Sequence, residues 1–207
     1  MGGIKKDAAL LRKLEGGNFF MSLPTTAATT LENLKSFLGV SAQDTSKDSL
    51  YELLIESCTE AAERYLGRNI VARTITEEPH DKQGSKTKYL QVRQYPISSI
   101  TSIVEDGQTI DTTILKLDKY NGIIKKPTNW KGAVLITYIA GLAQDTASVP
   151  KNIQLAIWHW VKEVLKIQED CNIKGETLGD YSVSYYEEHA IAPQVAMLLE
   201  GYRRIDL

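Results

Sequence analysis

SLYELLIESCTEAAERYLGR, residues 49–68, is the longest stretch of the sequence in which the apolar positions keep one helical period without a break. Such spacing places a single apolar stripe on an α-helix. Ser49 with Glu52 three residues later is typical of a capping box, and Gly67 suits a left-handed C-terminal cap. The predicted stripe consists of Leu50, Leu53, Leu54, Ser57, Cys58, Ala61, Ala62, Tyr65 and Leu66. The remaining elements are expected to pack on it.

Bulk composition limits the class of protein. A chain of 207 residues that is 43% hydrophobic can form one domain with an insertion, or two small domains. Its net charge of -2 differs from the strongly basic composition of nucleic-acid-binding modules. Cys58 and Cys171 lie far apart in helical patterns, which favours unpaired thiols. No long apolar run and no signal-peptide core occur, so we expect a protein that is soluble and intracellular when made.

The first part of the chain predicts an extension and a helical hairpin. Residues 1–28 are expected to form an N-terminal extension. A second hypothesis is that translation starts at Met21, because Glu15 to Gly17 can be encoded by a ribosome-binding sequence; the intact mass of the native protein would decide. From Thr29, TLENLKSFLG predicts a short helix with Thr29 and Glu32 as a capping box.

After Gly67 the period changes to near two until about Gly141, which indicates β-strands. The dipeptides Asp106-Gly107 and Asn121-Gly122 predict hairpin turns. Residues 69–141 are therefore predicted to form an antiparallel β-subdomain inserted between helices. Its candidate strands are NIVARTITEE, KYLQVRQ, SSITSIVE, TILKLD, GIIKK and AVLITYI.

Helical periodicity returns at Pro150 and gives a buried stripe of Ile153, Ala156, Ile157, Trp160, Val161, Val164 and Leu165. GETLGDYSVSYYEE then alternates like a strand without an obvious hairpin partner, and a last short helix follows Pro193. The predicted fold class is α+β. A small helical bundle, residues 29–68 and 149–207, would carry the inserted β-subdomain and an extended C-terminal segment.

Motifs for chemistry are absent from the sequence. His80, His159 and His189 lie in different predicted elements without neighbours at metal-ligand spacing. Phosphate-loop, dinucleotide-binding and hydrolase motifs do not occur. We therefore expect a protein that is not an enzyme and that holds no cofactor and no metal.

The order of segments from residue 29 to 186 resembles the head-tail connector, or adaptor, family of long-tailed double-stranded DNA bacteriophages. The residues that carry the resemblance are Tyr65, Gly67 and Arg68; Tyr95, Pro96, Ile97, Ile100, Ile103, Asp106 and Gly107; Tyr138, Ala140, Gly141, Val149, Pro150, Ile153 and Ala156; and LGDYSVSY from Leu178 to Tyr185. Residues 1–20 depart from the usual start of the family, and the strand-rich insert is longer than in its smallest members.

The resemblance implies a structural virion protein, made in the cytoplasm of the bacterial host and located in the neck of the particle. It implies a homo-oligomeric ring that docks beneath the portal protein, extends the DNA channel and offers an attachment surface to stopper or tail-completion proteins. Double-stranded DNA would pass through the lumen without sequence recognition, and no membrane would be involved. The alternative class is a non-catalytic regulatory or DNA-binding subunit completed by a partner protein, although the sequence lacks a basic recognition helix.

A closed ring needs two different, complementary patches on each subunit. An acidic row on the long helix and a basic face with apolar residues on the helix from Pro150 are the candidates. The alternative is that both faces are solvated and that Trp158 lies under the β-subdomain. The predicted interface comprises Glu52, Glu56, Glu60, Glu63, Lys151, Leu155, Trp158, Lys162 and Lys166, with Trp158 as the anchor.

The C-terminal part is predicted to dock on a neighbouring subunit or on the portal, because an extended segment with unpaired backbone groups tends to join another sheet edge. Its candidate docking residues are Leu178, Tyr181, Val183, Tyr185, Tyr186, Tyr202, Arg203 and Arg204.

Overall fold

The computed structural model describes residues 23–169, 177–178, 181–182 and 191–204. Its helices are α1 (Leu31–Leu38), α2 (Asp48–Leu66), α3 (Lys151–Glu169) and α4 (Pro193–Glu200). Its strands are β1 (Arg73–Asp81), β2 (Tyr89–Gln91), β3 (Ile97–Glu105), β4 (Gln108–Thr109), β5 (Lys116–Asp118), β6 (Ile123–Lys125), β7 (Ala133–Ala140), β8 (Thr177–Leu178) and β9 (Tyr181–Ser182). The predicted α+β class is confirmed. None of the described helices is long and apolar enough to cross a membrane.

The four helices enclose one hydrophobic core, in which α3 packs against both α2 and α4. Ala27 and Ala28 are also buried in this core, so the end of the predicted N-terminal extension belongs to the packed part of the protein. Met21 and the residues before it lie outside the described residues. Fully buried members of the core include Leu34, Ile55, Leu66, Ile153, Ile157, Val161, Val195 and Leu199.

The buried face of α2 is rotated relative to the predicted stripe. Leu53 is 48% exposed and Ser57 is exposed, whereas Ile55, which the stripe omits, is completely buried. The apolar residues of α2 form two overlapping helical series, and packing by the other helices selects one of them. In α3, Trp160 is only half-buried, although it was predicted to belong to the buried stripe.

Both predicted N-caps are wrong, that of α1 by one residue and that of α2 by two. Thr30, not Thr29, caps α1, since its hydroxyl accepts a hydrogen bond from the third backbone N–H of the helix at 3.2 Å. Helix α2 begins at Asp48, before Ser49, and has no side-chain cap. Asp48 instead forms an ion pair of 2.6 Å with Lys35, which ties the start of α2 to α1.

Seven strands form two antiparallel sheets around a second hydrophobic core. The four-stranded sheet has the order β1-β7-β3-β4, and the three-stranded sheet has the order β2-β6-β5. Both predicted hairpin turns are confirmed: Asp106-Gly107 joins β3 to β4, and Asn121-Gly122 lies between β5 and β6. The second core consists of Leu90, Val92, Ile97, Ile103, Ile124, Trp130, Val134, Ile136, Tyr138 and Ala140.

The C-terminal segment does not contain one long unpaired strand over the described positions. Strands β8 and β9 pair with each other in a short antiparallel hairpin, in which Leu178 lies opposite Tyr181. The prediction of a strand without a partner is therefore wrong for residues 177–178 and 181–182. Val183, Tyr185 and Tyr186 lie outside the described residues.

Candidate assembly surfaces

The outward face of α3 presents the predicted lysines together. Lys151, Lys162 and Lys166 are exposed, and Leu155 between them is half-buried. Spacings of three and four residues place these side chains on one side of the helix. The face therefore combines positive charge with some apolar surface.

Trp158 lies at the border of this face and contacts the subunit's own α1 region. Its indole N–H donates a hydrogen bond of 2.9 Å to the hydroxyl of Thr29, which is 1% exposed. Its ring centroid is 5.4 Å from that of Phe37. Trp158 is therefore a half-buried packing residue beside α1. It is neither the free anchor that the sequence predicted nor a residue covered by the strands.

The acidic row of α2 divides into two parts. Glu60 is exposed, and Glu52 and Glu56 are half-exposed. Glu63 instead points back into its own subunit, where it accepts a hydrogen bond of 2.9 Å from the backbone N–H of Ile70 and forms an ion pair with Arg73. Leu53 and Ser57 are exposed and lie between these glutamates on the same side of the helix, and the exposed Arg64 follows Glu63.

The end of the described chain fastens the helices to the β-strands. The backbone N–H of Arg204 donates to the carbonyl of Leu66, the last residue of α2, at 2.8 Å. The guanidinium of Arg204 donates to the carbonyl of Arg93 at 2.9 Å. Arg68 stacks over Tyr95 with its guanidinium carbon 4.5 Å from the ring centroid. We call this contact zone the arginine junction.

The arginine junction uses residues that the sequence had assigned to docking. Arg204 lies in it, while Arg203 forms an ion pair of 3.8 Å with Glu200 and stacks over Tyr65. Tyr202 is partly buried against the helical core. Six of the seven arginines of the chain lie at or beside this junction: Arg64, Arg68, Arg73, Arg93, Arg203 and Arg204. Their concentration is visible only once the chain is folded, because it joins positions more than a hundred residues apart.

A buried carboxylate supports the loop that follows β2. Glu78, 4% exposed, accepts hydrogen bonds from His80, from the hydroxyl of Tyr138 and from the backbone N–H of Arg93. The Tyr138 hydroxyl in turn accepts from the N–H of Gln94 at 3.0 Å. Burial raises the pKa of Glu78, but the three hydrogen bonds outweigh that effect and hold the pKa below its ordinary value. The cluster is a support for the 93–95 loop.

Potential metal ligands are not clustered in the described part of the chain. No three His, Cys, Asp or Glu side chains there are grouped as metal ligands. Burial raises the pKa of the Cys58 thiol to about 12, which keeps it protonated. His159 packs edge-on against Phe37, and Cys171 and His189 lie outside the described residues.

A sequence profile of the family described as Head completion protein matches residues 27–205. The chain belongs to the Head completion protein family. The description of this family names a structural role, completion of the head. No curated protein sequence matches the chain significantly.

The fold of this head completion protein is similar to that of chains in solved structures. It is similar to a chain in "Neck of empty GTA particle computed with C6 symmetry", with a TM-score of 0.62 and 13% identity over 90% of this chain and 94% of that chain. A chain in "Neck of native GTA particle computed with C12 symmetry" gives a TM-score of 0.58 and 14% identity over 90% and 93%. A chain in "Virion of native gene transfer agent (GTA) particle" gives 0.60 and 13% over 91% and 95%. The predicted relation to head-tail connector proteins is confirmed by the family match and the shared fold.

Proposed function

We propose that this head completion protein forms a homo-oligomeric ring beneath the portal vertex, prolongs the DNA channel and presents a surface to stopper or tail-completion proteins. The observation that carries the proposal is the likeness over 90% or more of the chain to chains of a gene transfer agent particle, two of them in structures of its neck computed with sixfold or twelvefold symmetry. A subunit that repeats around such an axis contacts its neighbours through two different patches. The virion neck is then its place of function, after synthesis in the cytoplasm of the bacterial host.

The proposed ring contact pairs the outward face of α3 on one subunit with the exposed side of α2 on the next. On α3 it uses Leu155 together with the lysines Lys151, Lys162 and Lys166. On α2 it uses the 48% exposed Leu53 together with the glutamates Glu52, Glu56 and Glu60. Glu63 is outside this contact because Arg73 already neutralises it. Trp158 contributes indirectly, by holding α1 against α3.

Apolar burial and charge contribute differently to such a contact. Exposed ion pairs stabilise by only about 0 to 1 kcal/mol each, so the lysines and glutamates would mainly set register and orientation. Burying a leucine side chain contributes about 1.5 to 3 kcal/mol when burial is complete. Leu53 is 48% exposed in the subunit, so its burial would contribute about half of that value, about 0.7 to 1.5 kcal/mol. Closure of the ring repeats that contact around the axis.

The test exchanges charges across the proposed contact. Lys162→Glu with Lys166→Glu should abolish ring formation, as measured by light scattering and by electron microscopy with portal-bearing heads. Glu56→Lys with Glu60→Lys in the same chain should restore it, because the pairs are then re-formed with opposite sign. Lys47→Glu, an exposed charge reversal outside the contact, is the matched control. Rings that persist in the Lys162/Lys166 double variant would refute this interface.

The proposed portal-docking element is the segment that contains the β8–β9 hairpin. It includes Leu178 and Tyr181 of the hairpin and Val183, Tyr185 and Tyr186 beyond it. Truncation before this segment is a poor test, because it would also remove α4, whose Val195 and Leu199 are completely buried in the helical core. The sharper test replaces residues 177–186 by a Gly-Ser linker of equal length. The variant should fold and form rings but fail to bind portal; unchanged portal binding would contradict the assignment.

A further inference from the structure

Charge is distributed unevenly along this chain. Residues 82–132, between β1 and β7, carry nine basic and four acidic side chains, a net charge of +5. The whole chain carries -2, so the remaining residues together carry -7. A protein that is nearly neutral in total therefore consists of a basic insert and an acidic remainder. Local charge, rather than net charge, decides what such an insert attracts.

The three-stranded sheet displays this charge on one face. Tyr89, Lys125 and Lys116 lie directly opposite one another across β2, β6 and β5. The next row, Leu90, Ile124 and Leu117, packs on the second core, and Leu90 and Ile124 are completely buried. Because successive residues of a strand point to opposite faces, the Tyr89 row points outward. Adjacent strands are about 4.8 Å apart, so the row spans about 10 Å.

The outward lysines are not neutralised by nearby carboxylates. Within the described part of the chain, neither Lys116 nor Lys125 forms an ion pair. The Nζ of Lys125 lies 5.1 Å from the ring centroid of Tyr89, which is itself 53% exposed. Asp118 lies two residues after Lys116 in β5, and its two oxygens already accept hydrogen bonds from Asn121 at 3.2 and 2.8 Å. The carboxylate of Asp118 therefore offsets part of the positive charge but forms no ion pair with either lysine.

The composition of this face fits a phosphate backbone. Lysine and tyrosine side chains commonly contact DNA phosphates. Lysine acts as a hydrated point charge, while arginine provides the planar fork that reads guanine. Six of the seven arginines lie at or beside the arginine junction instead. We propose that the outward face of the sheet β2-β6-β5 binds the phosphate backbone of duplex DNA without reading its sequence.

This inference rests on the proposed ring, which would enclose the DNA channel and repeat the face around it. One subunit offers few charges, so its contact is weak and fast to release. Repetition around an axis multiplies the contacts without adding any sequence preference. Weak, repeated and sequence-independent contact is what a channel needs if DNA is to be held in place yet still move.

The test uses the full-length protein and fluorescein-labelled duplex DNA of two unrelated sequences, with binding measured by anisotropy. Lys116→Gln with Lys125→Gln removes two charges from the face. Lys47→Gln with Arg64→Gln removes two exposed charges elsewhere, one of them at the arginine junction, and is the matched control. Each phosphate contact contributes about 0.9 to the slope of log affinity against log salt. The fall in affinity between about 50 and 200 mM salt should therefore be about twelvefold smaller for the Lys116/Lys125 variant than for wild type.

Wild type and control should bind both duplexes equally and with the same salt slope, while the Lys116/Lys125 variant should lose affinity. Loss of binding in the control variant alone would move the DNA contact to the arginine junction and overturn the proposal. Absence of DNA binding by wild type at low salt would also overturn it. So would low-salt self-association that the Lys116/Lys125 substitutions abolish, because the face would then bind a second copy. Ring formation, followed separately by light scattering, tests the proposed function itself.

Discussion

Replacing Trp158 by alanine should destabilise the isolated subunit, because its side chain connects α3 to α1. The hydrogen bond to Thr29 contributes about 1 kcal/mol, and the aromatic contact with Phe37 about 0.5 to 1.5 kcal/mol. The half-buried ring adds about 1 kcal/mol of apolar burial. The expected loss of unfolding free energy is then about 3 kcal/mol for Trp158→Ala. For a domain of this size each kcal/mol shifts Tm by about 2 to 4 °C, so Tm should fall by about 6 to 12 °C.

Thermal unfolding followed by circular dichroism measures this effect on the isolated subunit. Trp158→Phe keeps the aromatic contact and loses only the hydrogen bond, so its Tm should fall by about 2 to 4 °C. Lys162→Ala, on the exposed side of the same helix, should change stability by less than about 0.5 kcal/mol and is the control. If Trp158→Ala melts like wild type yet fails to assemble on portal-bearing heads, the packing role is refuted and Trp158 is an intersubunit anchor.

Three further substitutions test other parts of the structure. Lys126 is 5% exposed, and its ammonium lies 2.6 Å from the carboxylate of Glu105. Glu105→Ala leaves this buried charge without a partner and should lower the free energy of unfolding in urea by about 3 to 5 kcal/mol. The double variant Glu105→Leu with Lys126→Met should recover most of that loss. Because the pKa of Glu78 is held below its ordinary value, its stabilising effect is complete above pH 4.5 and is lost as pH falls through the lowered pKa. Glu78→Gln should therefore be less stable at neutral pH and lose less stability on acidification; an unchanged acid limb in urea titrations would contradict this. Gly122→Ala should cost at least about 1 to 2 kcal/mol in chemical denaturation, since φ is +67° and an added Cβ would lie 2.9 Å from another Cβ; a wild-type midpoint would be inconsistent with that turn.

Local features of the fold could be predicted where the backbone needs a conformation that only a few residue types adopt easily. Asp106-Gly107 and Asn121-Gly122 predicted the hairpins because these turns need positive φ, which Asp106, Gly107 and Gly122 adopt. Gly67 ends α2 in the left-handed region for the same reason. The capping residue of α1 was misplaced because Thr29 and Thr30 are chemically equal, and only the folded protein shows that Thr29 is occupied by an indole from α3.

Surfaces were harder to predict than turns, because exposure depends on what the rest of the chain covers. The period of α2 is compatible with burial of either Leu53 or Ile55, and packing by the other helices decides between them. The sequence predicted Glu63 as one of a row of outward-facing glutamates, but in the folded protein it forms an ion pair with Arg73. The role of Arg204 could not be inferred, since its partners Leu66 and Arg93 are more than a hundred residues away. The interface residues themselves remain predictions.

The insertion of the strands between α2 and α3 affects how the chain emerges from a ribosome. Strands β1 to β7 are consecutive in sequence, so their sheets can be completed as soon as β7 has left the ribosome. Helix α2 has a different fate, because its main partner α3 begins at Lys151, more than eighty residues after α2 ends. At ordinary rates of translation, about 5 to 20 residues per second, the apolar face of α2 therefore stays exposed for several seconds before α3 is available to cover it. We expect a released chain truncated near residue 145 to contain folded strands together with an aggregation-prone, chaperone-binding α2.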